Sequence, residues 1–248
     1  MADDLQQLCD VGQEQLSSMD YVRARATLEE AERLAWEDRD WDTLARLYMP
    51  LQEAHRQIRQ RCGEGTVRLD LVPDEPGGGF SPDRVIGEYN HGQLLVAGWG
   101  TIQPALAVRE IAWQRGLYVE TFLGAAYPTD RGTAVAIVPL ADAVLPGPTV
   151  RNWRQLASLL PARTVLYLRS ELPAGARPGD AGTFSEVMAM WERLHAPFLA
   201  AADAMNEPQA KIEAYRGTIR VDYACELAHQ KLARTASDLL HSRRGRAA

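Results

Sequence analysis

Residues 93–123, QLLVAGWGTIQPALAVREIAWQRGLYVETFL, decide the fold. Leu94 to Ala97 is continuously apolar, as a strand covered on both faces of a parallel sheet is. Gly98, Trp99 and Gly100 make a turn. Thr101 is a candidate N-cap, and Pro104 suits the first turn of a helix that runs to Arg115. The helix has a polar stripe at Gln103, Glu110 and Gln114. Arg109 falls on its apolar side and so needs an acceptor or a route to solvent. Gly116 ends the helix, and Leu117 to Leu123 resumes as strand. The pattern predicts a βαβ unit with a right-handed crossover.

Outward from this unit the periods change. Thr66 to Val72 alternates apolar and polar residues, which predicts a half-exposed strand. Ala134 to Val138 and Val165 to Leu168 are two more strands. The link after Leu123 carries no helical pattern, so an antiparallel pairing or an irregular crossover is expected there. A short helix over 150–160 is opened by Thr149 and closed by Pro161. Two Gly/Pro-rich stretches, PDEPGGGFSPD at 73–83 and SELPAGARPGDAG at 170–182, read as loops. The Gly77–Gly79 run lacks the Lys and Ser/Thr of a P-loop and reads as flexible chain. Thr183 caps a helix to Met205, interrupted at Pro197. A last helix begins after Asn206 and reaches about Leu240, with a break expected at Gly217. The expected class is α/β, with α+β the alternative. It has three parts: a helical region over 1–62, a small mixed, partly parallel sheet over 63–182, and a C-terminal helical hairpin with a basic tail over 183–248.

Residues 3–61 are helical throughout. Tyr21, Ala24, Leu28, Ala31 and Ala35 recur at three and four residues, one face of a helix over about 20–37. Trp41, Leu44, Ala45, Tyr48, Leu51 and Ile58 form a second stripe over about 40–61, with Pro50 inside it. Gly12, with Leu8 and Val11 before it and the Ala24, Leu28, Ala31 series after it, resembles a tetratricopeptide repeat. Trp41, Leu44, Ala45 and Tyr48 restart the pattern close to that family's period. The resemblance covers one and a half repeats and departs from the family at Gln15. It implies a close helix–helix packing mode and a protein-binding surface, for which Trp41, Tyr48 and Arg56 are the candidates.

The net charge is −6 and the pI about 5.5. Both argue against nucleic-acid or anionic-membrane binding across the surface, which needs a positive field. The basic cluster Arg243, Arg244 and Arg246 reads as a solvated tail. Cys9, Cys62 and Cys225 form no CxxC, so neither a disulfide framework nor a structural zinc site is expected. The acidic, polar amino terminus is not a secretory signal, and no apolar run spans a bilayer. A cytoplasmic setting is expected. Lysine occurs only as Lys211 and Lys231, an arginine bias that points to a GC-rich bacterial genome.

Three places can carry chemistry. The first is the strand-end turn Gly98, Trp99, Gly100 and Thr101, with Arg169, Ser170 and Asp180 from the second glycine-rich loop. Ligands of open α/β sheets bind beyond the carboxyl ends of the strands, and a helix N-terminus favours an anion there. The second is a pair of ExxH motifs, Glu192 with His195 and Glu226 with His229, whose i,i+3 spacing can hold a metal on a helix face. The third is Cys225 with His229 one turn on, a thiol–imidazole pair read as lying mid-helix; loop His91 has no partner in reach by sequence. No pattern identifies a cofactor. The expected function is a non-catalytic interaction or scaffold protein that contacts a protein partner or itself. The alternative is an α/β enzyme or binding domain for a phosphorylated small ligand at the 98–101 and 170–182 edge, and third comes the metal site.

Overall fold

Helix α1 (Ala2–Ser17) and helix α2 (Tyr21–Glu37) are joined by a link in which Met19 takes φ 61°. The link before helix α3 (Trp41–Gly63) repeats this geometry, with Arg39 at φ 52°. Each link ends on an aspartate that caps the next helix. Asp20 accepts from the Arg23 N–H, and Asp40 accepts from both the N–H and the hydroxyl of Thr43. The computed structural model describes residues 2–75 and 81–247, with side chains from residue 4 to 242. The Gly77–Gly79 run and the side chains of Arg243, Arg244 and Arg246 lie outside the described residues.

The chain follows the order α1, α2, α3, β1 (Thr66–Leu71), α4 (Pro82–Glu88), β2 (Gly92–Trp99), α5 (Gln103–Gln114), β3 (Val119–Thr129), β4 (Gly132–Ile137), α6 (Trp153–Leu159), β5 (Val165–Leu168), β6 (Arg177–Pro178), α7 (Ala181–Asp203), α8 (Pro208–Val221) and α9 (Glu226–Ala247). It divides into two units, residues 1–59 with 195–248, and residues 60–194. The two helical ends, separate segments in the sequence reading, therefore contribute to one unit.

In the helical unit the predicted stripe of α2 is the buried one: Tyr21, Ala24, Leu28, Ala31 and Ala35 all face the core. On α1 the buried face is Leu5, Cys9 and Gly12, while Val11 is exposed. A Cβ at Gly12 would lie 2.5 Å from Leu28 Cδ2, so any larger residue there has to displace the buried Leu28 side chain. Trp41, Leu44, Leu47, Tyr48 and Leu51 of α3 join the same core with Ile212, Tyr215 and Leu232 of α8 and α9. Trp41 and Tyr48 are 5 % and 0 % exposed. They are core residues, not the interaction surface expected of them, because the stripe that marks a helix as amphipathic is the stripe it buries. Tyr48 OH donates to Glu32 Oε1 (2.5 Å) and accepts from Trp36 Nε1 (2.9 Å), which satisfies its one polar atom. Arg56 is half-buried and bound at both ends of its fork by Glu53. The last helix does not break at Gly217, which stays inside α8. It breaks at Asp222–Cys225, between α8 and α9.

In the α/β unit the sheet order is β5-β4-β3-β2-β1-β6. Strands β1, β2 and β3 are parallel, and β4, β5 and β6 each pair antiparallel to their neighbour. The β2–α5–β3 segment forms as the opening stretch predicts. Arg109 finds its acceptor in the Thr121 carbonyl (2.7 Å). Strand β3 runs past Leu123 to Thr129 and turns directly into β4 as an antiparallel hairpin. One face of the sheet packs Leu94, Val96, Leu123, Ala125 and Tyr127 against α4, α5 and α6. On the opposite face Phe122 stacks on Trp191 of α7, ring centroids 4.2 Å apart. Among the described residues no helix is long and apolar enough to cross a membrane.

Candidate functional site

The turn after β2 is a closed structure. Gly98 pairs with Thr101 in an isolated bridge, and the Gly100 N–H donates to the Ala126 carbonyl. Gly100 holds φ 63°, and a Cβ there would meet Pro148 at 2.7 Å. Thr101 Oγ1 accepts from the Gln103 N–H (3.2 Å), which leaves Ile102 as the cap residue of α5, with no side-chain cap. Trp99 closes the turn, its indole N–H buried without a partner among the described residues. Glycine and threonine here serve the turn's own geometry.

The second loop does not bring its residues to this turn. Strand β5 runs in the direction of β2, as expected, but lies at the sheet edge, three strands and about 14 Å away. From its end the chain crosses the carboxyl edge of the sheet, because β6 pairs with β1 at the other side. Ser170 is exposed in a 3-10 turn over Arg169–Glu171. Asp180 follows β6 and so stands near the amino end of β1, where the Gly179 N–H donates to the Gly65 carbonyl. Its carboxylate accepts from the Thr183 N–H (2.8 Å) and opens α7. Asp180, not Thr183, is the cap. Of the predicted set, Arg169 alone reaches an open site.

That site is a cleft of 580 Å³ at the carboxyl end of β1. Alternation along β1 buries Val67 and Leu69 and leaves Arg68 and Asp70 on the other face, paired at 2.6 Å. Ser81 caps α4 and Pro82 opens it. This short helix sinks Val85 and Ile86 into the core, and Arg84 and Glu88 line the cleft. The segment after β5 closes the top. Leu172 is buried, the Gly175 N–H donates to Asp70 Oδ2 (3.0 Å), and Arg169 reaches Asp74 (3.1 Å). The Tyr89 phenol sits above its ordinary pKa, chiefly because it hydrogen-bonds to Glu88 and secondly through burial. Arg84 makes no ion pair with any described residue, while Asp74, the partner of Arg169, is 91 % exposed. Two of the three guanidinium groups are therefore free to exchange solvent or a weak partner for an anion. Sequence reasoning missed Arg68, Asp70 and Arg84. The signal for α4 was present in Ser81-Pro82-Asp83, an N-cap, a proline at the first helical position and an acid in the first turn.

The ExxH residues have a different fate. Glu192 is exposed. Glu226 accepts from Gln52 Nε2 (3.3 Å). No group of three or more His, Cys, Asp or Glu residues is placed to hold a metal ion among the described residues. The predicted metal set is dispersed because each imidazole is taken by a residue outside its motif. His195 Nδ1 meets Asp222 Oδ2 at 2.6 Å. Asp222 Oδ1 binds Arg59 (2.7 Å) and accepts from the Ala224 N–H (3.1 Å). Burial works to raise the Asp222 pKa, but Arg59 and His195 outweigh it and hold this carboxyl well below the usual range. His195 is lowered by burial, yet Asp222 and Cys225 carry it up to about 10. It is therefore an imidazolium at neutral pH.

His229 Nε2 lies 2.8 Å from the Tyr223 carbonyl and 3.3 Å from His55 Nδ1, and His55 Nε2 lies 3.2 Å from Glu29. A carbonyl only accepts, so Nε2 of His229 carries the hydrogen. His55 then accepts at Nδ1 and donates from Nε2 to the carboxylate. Burial first, and His55 second, push the His229 pKa down to about 3. Its Nδ1 is a buried acceptor without a partner.

Compared with known proteins, the chain matches no family model, no curated protein and no solved structure.

Proposed function

We propose that the α/β unit is a binding domain for a small phosphorylated ligand, held in the cleft at the carboxyl end of β1. The observation that carries this reading is Arg84, a guanidinium without an ion-pair partner among the described residues, in a cleft that also presents Arg169. An arginine fork matches a phosphate with two parallel hydrogen bonds. The cleft occupies the position where open α/β sheets bind ligands. Arg68 is paired with Asp70 on the floor, so the cation open to a ligand comes from Arg84 and Arg169. Glu88 on α4 and Glu75 in the loop after β1 are acceptors for the hydroxyls of a sugar or polyol attached to the phosphate.

The test is a thermal-shift screen of sugar phosphates and nucleotides, each beside its unphosphorylated counterpart. A ligand at 100 times its Kd stabilises the native state by about 2.7 kcal/mol. That is a rise of roughly 5–10 °C for a protein of this size. The rise should occur only with phosphorylated compounds and should vanish in Arg84→Ala/Arg169→Ala. A full panel without a shift, or a shift that the double variant retains, removes the proposal.

A further inference from the structure

A second cleft in the α/β unit, of 420 Å³, runs along strand β5. We propose that this edge of the sheet binds a short extended segment of an acidic polypeptide as an added strand. Strand β5 ends the sheet and, among the described residues, pairs only with β4. The Val138 N–H donates to the Leu123 carbonyl, so even-numbered residues of β4 bond to β3 and odd-numbered ones to β5. Val135 and Ile137 stand opposite Tyr167 and Val165. Leu166 and Leu168 therefore turn their N–H and C=O groups outward. The Leu168 N–H donates to Glu171 Oε2 (2.8 Å). The N–H and C=O of Leu166 and the C=O of Leu168 remain for a short new ladder.

Both faces beside this edge carry an arginine. On the face covered by α6, Arg131 lies over the Trp153 ring, 5.4 Å from its centroid. On the face covered by α7, Arg193 lies over the Tyr167 ring, 4.9 Å from its centroid, and donates to Tyr167 OH (2.9 Å). Neither guanidinium has a carboxylate partner among the described residues. Asp130, the acid next to Arg131 in sequence, accepts instead from the Trp153 N–H (2.9 Å) and from Asn152 Nδ2 (3.1 Å). A guanidinium stacked on a ring is held by its face and keeps N–H groups at its rim for an anion.

The alternation of a strand fits this arrangement. Successive side chains of an added strand point to opposite faces of the sheet. Two neighbouring acidic residues on it thus meet Arg131 on one face and Arg193 on the other, while the open backbone groups of β5 hold the main chain. A second copy of the chain does not fit the same edge, because β5 against β5 about a two-fold axis sets like charges opposite one another. Glu171 lies in the cleft as well. It ends the ladder at Leu168 and opposes an acidic guest.

Fluorescein-labelled octaglutamate, which charge repulsion keeps extended, is titrated with the full chain at low salt and followed by anisotropy. Binding should saturate below about 1 mM protein, and octaglutamine and octalysine should not bind. Arg131→Gln/Arg193→Gln, checked for folding by circular dichroism, should weaken binding about tenfold or more. Glu171→Gln still accepts the Leu168 N–H and should strengthen it about threefold. Octaglutamate methylated at every peptide nitrogen keeps its charge, cannot donate to the Leu166 carbonyl and should bind about tenfold more weakly. Arg84→Ala/Arg169→Ala should bind octaglutamate as the wild type does, which separates this edge from the phosphate cleft. No saturable binding overturns the proposal. So does wild-type affinity in the folded Arg131→Gln/Arg193→Gln protein, no gain in Glu171→Gln, equal binding of the methylated probe, or loss of binding in Arg84→Ala/Arg169→Ala. A labelled oligothymidylate that binds as tightly as octaglutamate makes the occupant a nucleic acid and overturns it too.

Discussion

Replacing Asp222 by asparagine isolates one charge at the centre of the helical unit. The amide keeps the size of the carboxylate, and its oxygen can still accept the Ala224 N–H that Asp222 Oδ1 accepts at 3.1 Å. What disappears is the anion between Arg59 at 2.7 Å and His195 at 2.6 Å. Arg59 is 7 % exposed in its side chain and cannot shed its proton, so it loses the carboxylate that faces it at 2.7 Å. Breaking a buried pair in this way costs about 3–5 kcal/mol. The lower end applies here, because His195 escapes the conflict by deprotonating. We expect a loss of about 3 kcal/mol at pH 6. The pH dependence carries the sharper signature. The His195 pKa rises from 6.5 unfolded to about 10 folded. Its stabilisation is complete below the unfolded value and is lost as pH rises from there through 10. The wild-type protein should therefore weaken steadily over that window, and Asp222→Asn should show much less of this decline, so the gap between the two curves narrows toward pH 10 and the share due to Arg59 remains. Urea titrations followed by far-UV circular dichroism, at a series of pH values from 6 to 10, measure both effects. Urea is chosen over guanidinium because salt would screen the charges in question. An unchanged midpoint at pH 6, or an alkaline decline as steep in the variant as in the wild type, would refute the electrostatic reasoning.

Two further substitutions probe single features by the same denaturation assay. Tyr48→Phe removes the hydroxyl that links Glu32 and Trp36 but leaves Trp36 Nε1 its direct bond to Glu32 (3.1 Å), so the loss should be only about 1 kcal/mol; a loss several times larger would mean that Glu32 depends on the phenol. Gly100→Ala combines a left-handed residue with a Cβ 2.7 Å from Pro148, and about 1–3 kcal/mol of stability should disappear; a neutral result would show that the 140–149 loop yields freely.

The parts of the fold that sequence patterns reveal are those whose burial repeats with a local period. The α2 stripe and the β2–α5–β3 unit belong to this class. The sequence pattern ends β3 at Leu123 because Gly124, Ala125, Ala126 and Pro128 carry no strand preference, yet pairing with β2 and β4 holds them in the sheet. The break at Asp222–Cys225 contains neither glycine nor proline. Gly217 does interrupt the pattern but remains helical, its Cα open to free space. Long-range pairing was the least visible. Nothing in 165–182 announces that β5 and β6 lie at opposite edges of the sheet, and this separation parts Asp180 from Arg169 and moves the cleft to β1. The partnership of His195 with Asp222 crosses a helix boundary and 27 residues, beyond any spacing rule. The i,i+3 glutamates nearer in sequence match a spacing rule, while Asp222, the partner His195 actually binds, matches none.

The division of the chain has a consequence for its synthesis. The helical unit is written in two instalments, residues 1–59 and 195–248, with the whole α/β unit between them. At about 5–20 residues per second a ribosome spends roughly seven to twenty-seven seconds on the intervening stretch. During that delay α1, α2 and α3 have left the ribosome while the segments bearing Ile212, Tyr215 and Leu232, which complete their core, do not yet exist. Arg59 and His55 wait in water for Asp222 and His229. The α/β unit can thus finish first, although it starts second. Until residues 195–248 are made, the apolar stripes of the nascent helices have nothing of this chain's own helical core to bury against.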